Sequence, residues 1–156
     1  MTILVDTREH PKAIRLILAE FEKQEITVIR NKLYVGDYQL LTNPLLVIDR
    51  KQNLSELCNN VVHEHKRFTA ELQRAKDVGI HVIVLVEHSR NFKTLEDVRH
   101  WVNPRLKESP LAVSGERLYK ILSVIEKHYG CEFRFCEKRS TGKQIVDILK
   151  QGTEKT

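Results

Sequence analysis

The chain is poor in cysteine. Cys58, Cys131 and Cys136 are an odd count with no CxxC spacing. That excludes a disulfide framework and a cysteine-built zinc site, and it points to free thiols in a reducing, cytoplasmic setting. Long apolar runs are also missing. No stretch nears the roughly 20 residues a membrane span requires. The opening MTILVDTREH has no basic leader, and its apolar run is too short for a signal peptide. No repeat, linker or low-complexity segment breaks the 156 residues, so the length fits one domain over 1–150, with 151–156 as a loose tail. Lys and Arg number 26 against 21 Asp and Glu, a net charge of +5. This balance permits nucleic acid as a partner but does not select it.

Apolar residues make up 41% of the chain, a globular composition. β-Branched or apolar runs predict strands over Thr2–Val5, Ile26–Ile29, Leu33–Leu41, Leu45–Lys51, His81–Val86 and Cys131–Cys136. Between them lie helical patterns. One opens at His10-Pro11 with Ile14, Ile17, Leu18 and Phe21 on one face, and another starts after Asn53. A third covers Lys66–Val78, and a short one lies near Thr94–Trp101. The clearest runs from Ser114 to His128, with Leu118, Ile121, Leu122 and Ile125 in one stripe. The last is capped by Thr141. Strands alternating with helices predict an α/β sandwich with helices on both faces.

The segment LLVIDRKQNLSEL (45–57) places Asp49, Arg50 and Lys51 at the end of a strand that should be buried. Burying unpartnered charge costs several kcal/mol, so these residues need a reason to be there. Strand alternation sets Asp49 and Lys51 on one face and Arg50 on the other. Asp37, in VGDY, lies in the preceding strand region, where a short strand–turn–strand connection could bring it beside Asp49, and Asp6, in VDTRE, falls at the end of the first strand and could join them. Converging carboxylates repel unless a cation intervenes, and hard divalent ions take oxygen ligands. Such an ion can activate water at a phosphodiester, with the lysine amine orienting the water or holding developing charge. The plainer reading is an ion pair between Asp49 and Lys51, with Asp37 as a turn residue. Spacing alone leaves both open.

Three ordered motifs go further: Val5-Asp6-Thr7-Arg8-Glu9, Val35-Gly36-Asp37-Tyr38 and Ile48-Asp49-Arg50-Lys51. With Asn59-Asn60, Arg67-Phe68 and the apolar strand before Glu87, they cover about residues 2–90. In this the chain resembles the nuclease domain of XPF-family structure-specific endonucleases, which include Hef and the Mus-type nucleases. The resemblance implies a restriction-endonuclease-like three-layer core, a central mixed sheet flanked by helices. It implies DNA, branched or flapped, as substrate and Mg²⁺ or Mn²⁺ as cofactor. Asp37 and Asp49 would be metal ligands with Asp6 alongside. Lys51 would be the catalytic amine, Arg8 would face the scissile phosphate, and Arg50 would anchor the site from behind. Glu9 and Glu56 are further candidates, although a charge near a helix start explains Glu9 and a capping box explains Glu56. The family's glutamate is Asp49 here, one methylene shorter, and its acid four residues after the lysine is Ser55.

Lys66, Arg67, Arg105 and Lys107 are candidates for DNA contacts, with solvated surface as the alternative. Family members commonly append a tandem helix-hairpin-helix module, and no such segment follows residue 150. The resemblance therefore implies a stand-alone nuclease domain. Homodimerisation through a late helix is a further expectation, with the Leu118–Ile125 stripe as its surface or as ordinary core. The rival functions are a non-catalytic DNA-binding or dimerisation subunit and a phage or mobile-element nuclease acting on ordinary duplex.

Overall fold

In the computed structural model, which describes residues 1–154, β1 (Thr2–Val5) opens a six-stranded sheet. It is followed by α1 (Arg15–Lys23), β2 (Thr27–Arg30), β3 (Tyr38–Leu40), β4 (Asn43–Lys51), α2 (Leu54–Val62), α3 (His65–Asp77) and β5 (His81–His88). Two 3₁₀ turns at Leu95–His100 and Pro104–Lys107 lead to α4 (Gly115–Tyr129), β6 (Glu132–Glu137) and α5 (Thr141–Glu154). The strand order is β2-β1-β3-β4-β5-β6. Only β3 runs against its neighbours; β1–β2 and β4–β5–β6 are parallel. The sheet is mixed, with helices on both faces, as expected. No described helix is long and apolar enough to cross a membrane.

Alternation along the strands builds two cores. Val47, Val82, Val84 and Val86 face α2, α3 and α4. Ile3, Val5, Ile48, Ile83 and Leu85 face α1 and α5, contributing Ile17, Phe21, Ile145 and Leu149. β5 is buried on both faces, which is why HVIVLV reads as a continuous apolar run. Leu118, Leu122 and Ile125 are buried in the first core, so the α4 stripe is spent inside the domain. Trp101 and all three free cysteines are buried as well.

Three elements depart from the sequence expectation. The expected Leu33–Leu41 strand is regular only over Tyr38–Leu40. Residues 33–37 form a loop instead. Leu33 N–H donates to the Asp6 carboxylate at 2.8 Å, and Gly36 takes φ +76°, where a Cβ would lie 3.1 Å from Ile48 O. Only glycine adopts that conformation without strain. The first helix begins at Arg15, after a tight turn in which His10 O accepts from the Ala13 and Ile14 amides. The expected tail is helical through Glu154, because Gly152 lets α5 lie directly against Leu46. Residues 155–156 of that tail lie outside the described residues.

Candidate active site

β1 and β4 end, and antiparallel β3 begins, at the same edge of the sheet, so Asp6, Asp37 and Asp49 arrive there from three segments. Alternation then divides the last residues of β4. Asp49 and Lys51 follow Val47 toward α2 and α3, while Arg50 follows Ile48 toward α1 and α5.

On the first face, Lys51 Nζ lies 3.5 Å from Asp49 Oδ2, and each side chain is 13% exposed. The Phe68 ring supports the amine from 5.5 Å. Asp37 Oδ2 accepts from the Arg50 amide at 2.8 Å, and the Asp37 amide donates to Ile48 O at 2.8 Å. The pairing of Tyr38 with Ile48 sets Asp37 and Asp49 at adjoining strand ends, close enough for each carboxyl to weigh on the other's ionisation. Burial first, then the charges of Asp49 and Glu9, hold Asp37 well above the usual carboxylate range. Burial also raises Asp49, with Lys51 pulling the other way and Glu71 adding to the rise. Two acids pressed together share a proton or require a cation.

Glu71, not among the expected site residues, accepts from Gly36 N–H at 3.1 Å and thus ties the Asp37 loop to α3. Its signal in the sequence is an acid set three residues after Phe68 and four before Ala75, inside the buried stripe of α3. Arg8 stands at the mouth, its side chain 56% exposed, raised by the Asp6 carboxylate and within the fields of Glu71 and Asp37.

Asp6 lies at the same strand ends with both of its oxygens engaged by the chain's own donors. Its Oδ1 accepts from Leu33 N–H at 2.8 Å, and its Oδ2 accepts from Arg8 Nε at 2.6 Å and Arg8 N–H at 3.0 Å. Burial opposes ionisation of Asp6, but these donors outweigh it and its pKa is lowered. Asp6 positions Arg8 and the loop. Among the described residues, no three His, Cys, Asp or Glu groups converge as a metal cage. The Asp37–Asp49 pair is all-oxygen and charge-strained. It fits a hard divalent ion that keeps most of its shell for water and substrate oxygens.

The opposite face holds a buried ionic network. Arg50 forks onto Glu9, Nε to Oε1 at 2.7 Å and Nη2 to Oε2 at 3.0 Å, and its Nη1 donates to Glu87. Tyr38 OH donates to Glu9 at 3.0 Å and Thr141 Oγ1 to Glu87 Oε2 at 2.8 Å. This buried network ties the turn after β1 to β3, β4, β5 and α5, and it gives Arg50 and Glu9 an anchoring role. Thr141, expected as a cap, spends its hydroxyl here. Glu87 was legible by the logic used for β4, a charge at the exit of a buried strand. Glu56 is a capping residue: its amide donates to Asn53 Oδ1 at 2.8 Å, and its Oε2 accepts from Gln52 N–H at 3.1 Å.

Of the basic candidates, Lys66 and Arg67 begin α3 just before Phe68, on the shoulder of the site, with Arg67 loosely paired to Glu64 at 3.7 Å. Arg105 and Lys107 lie apart, on the 3₁₀ turn beyond α2. Arg105 lines a cleft of about 280 Å³ with Cys58, Asn59 and Arg117.

The strain at Asp37 has a measurable sign. Its folded pKa lies above the unfolded value of about 3.9. Its contribution to stability is therefore complete below that value and is lost as pH rises through the folded value. In chelator, Asp37→Asn is expected to melt at or above the wild-type temperature at pH 7 and to match it near pH 4. A lower melting temperature at pH 7 would make Asp37 structural.

No curated protein matches the chain. Among solved structures it is similar to XPF from Aeropyrum pernix, at TM-score 0.69 and 20% identity, over 98% of this chain and 65% of that one. It is also similar to XPF from Aeropyrum pernix in complex with DNA, at TM-score 0.68 and 19% identity, again over 98% and 65%. The chain thus spans a little under two thirds of those chains, and the likeness speaks for the fold. The family model of the ERCC4 domain matches residues 5–148, which takes in every strand end described above, and the chain belongs to that family.

Proposed function

We propose that the chain is a metal-dependent endonuclease that hydrolyses DNA phosphodiester bonds at branched or flapped structures. The observation that carries this reading is Asp37 Oδ2 held on the Arg50 amide, one residue past Asp49, with the Lys51 amine 3.5 Å from Asp49. Membership of the ERCC4 domain family supports it, and so does the fold shared with an XPF whose structure includes DNA.

Asp37 and Asp49 would hold Mg²⁺ or Mn²⁺. Bound there, the ion supplies Lewis-acid charge at the phosphorus and a more acidic water. The rest falls to the chain's own groups. Lys51 donates to a non-bridging phosphate oxygen or orients the attacking water, and its charge offsets that of Asp49. Arg8, with Nε fixed by Asp6, offers its terminal amino groups to the scissile phosphate. The Arg50 amide keeps one Asp37 oxygen in position. As the water oxygen bonds to phosphorus and releases its proton to solvent, the bond from phosphorus to the departing sugar oxygen breaks and that oxygen takes a proton from solvent. Lys66 and Arg67 would take the flanking backbone. Self-association belongs to the same reading but falls to a face other than the α4 stripe.

The test is a panel of flap, fork, nicked, linear and single-stranded DNA. Purified protein is expected to cut flap or fork DNA with Mg²⁺ or Mn²⁺ and nothing in chelator. Equal cutting of linear duplex would assign an ordinary duplex nuclease, and DNA binding without cutting would assign a non-catalytic subunit.

A further inference from the structure

The loop that delivers Asp37 also carries an aromatic side chain that the chemistry above does not use. Tyr34 is 58% exposed, although its neighbours Leu33 and Val35 are 5% and 1% exposed. Large apolar side chains scattered singly over a surface are ordinary. Three features set this one apart. Its backbone is fixed on both sides: Leu33 N–H is held by Asp6 at 2.8 Å and Gly36 N–H by Glu71 at 3.1 Å. Its ring has a planar cation against it, the Arg74 guanidinium 5.7 Å from the centroid, and Arg74 Nη2 also donates to Tyr34 O at 3.5 Å. Its backbone is close to the reacting centre, since the Cα atoms of Tyr34 and Asp37, three residues apart, lie at most about 11 Å from one another. That is about three steps along a DNA strand at roughly 3.4 Å each.

We propose that Tyr34, backed by Arg74, is a stacking site for an unpaired base of the strand being cut, within three nucleotides of the scissile phosphate; the proposal rests on the nuclease reading above. The ring is exposed, its backbone is tied on both sides and a guanidinium backs it, an arrangement suited to an aromatic platform for single-stranded nucleic acid. An exposed cation–π pair adds little to the fold, so stability does not account for the arrangement. A base inside a duplex has both faces covered by its neighbours, so the platform is open only to a base that is flapped, frayed or flipped. The site therefore favours DNA whose stack is already interrupted beside the cut, and it reads a base face rather than a base edge, without sequence preference.

The experiment uses flap DNA carrying a single abasic analogue, moved through the three positions on each side of the cut, with wild type, Tyr34→Phe and Tyr34→Ala. At one position the wild type is expected to lose roughly 5- to 150-fold, mainly as a raised KM, the range of one base–aromatic stack. Tyr34→Ala shows the same loss on intact DNA and no further loss on that abasic substrate. Tyr34→Phe behaves as wild type. Unchanged KM in Tyr34→Ala, or losses from protein and DNA that multiply, would overturn the stacking site and leave the nuclease reading standing. A wild type that cuts none of the substrates would overturn both.

Discussion

Asp49→Ala is expected to lower metal-stimulated cleavage by about 10³-fold or more, since it removes several kcal/mol of charge stabilisation at the phosphorus. The same change should not weaken the fold in chelator. Asp49 is raised by burial, and its loss relieves Asp37 of a like charge. Two readouts separate site from scaffold. Cleavage collapses, and the gain in melting temperature that Mg²⁺ or Mn²⁺ gives the wild type disappears with it. Lys51→Ala removes a donor rather than a ligand, so about 10²- to 10³-fold is expected in rate with the metal-linked gain in stability retained. If Asp49→Ala cut flap DNA at the wild-type rate, Asp49 and Lys51 would be no more than an ion pair.

The second large effect lies on the other face of the same strand. Arg50→Met keeps much of the side-chain volume and leaves Glu9 and Glu87 buried without their shared cation. Stranding buried charge in this way costs about 3–5 kcal/mol. For a domain of this size that corresponds to a fall of about 10 °C in melting temperature. Arg50→Lys does not rescue it, because an ammonium cannot reproduce the fork onto Glu9. Combining Arg50→Met with Glu9→Gln and Glu87→Gln should recover part of the loss, since it neutralises the two acids together. Thermal melts of the single and triple variants measure both effects. A single variant that melts like wild type would mean that the network does not hold this corner together.

Much of this was legible in the sequence because the alternation of a strand is a strict rule. Val47-Ile48-Asp49-Arg50-Lys51 dictates which charges share a face, and the two cores divide accordingly. What the sequence left undecided was where carboxylates turn once the chain is folded. Asp6 sits at the expected strand end, but the nearest backbone donor, Leu33 N–H, belongs to a loop that strand propensity had assigned to β3. The irregular loop is what brings that donor to the Asp6 carboxylate. Glu71 and Thr141 were hidden for a related reason. Each looks like an ordinary helix residue until a partner distant in sequence, Gly36 or Glu87, is brought alongside.

Arg50 is bound in two directions, its amide to Asp37 and its guanidinium to Glu9 and Glu87. A breathing motion that frees the amide must also expose a buried cation and its two acids, so this corner has no inexpensive local opening. Its amide proton should exchange with solvent only through whole-domain unfolding, and the arrangement of Asp37 beside Asp49 should persist until the domain itself melts.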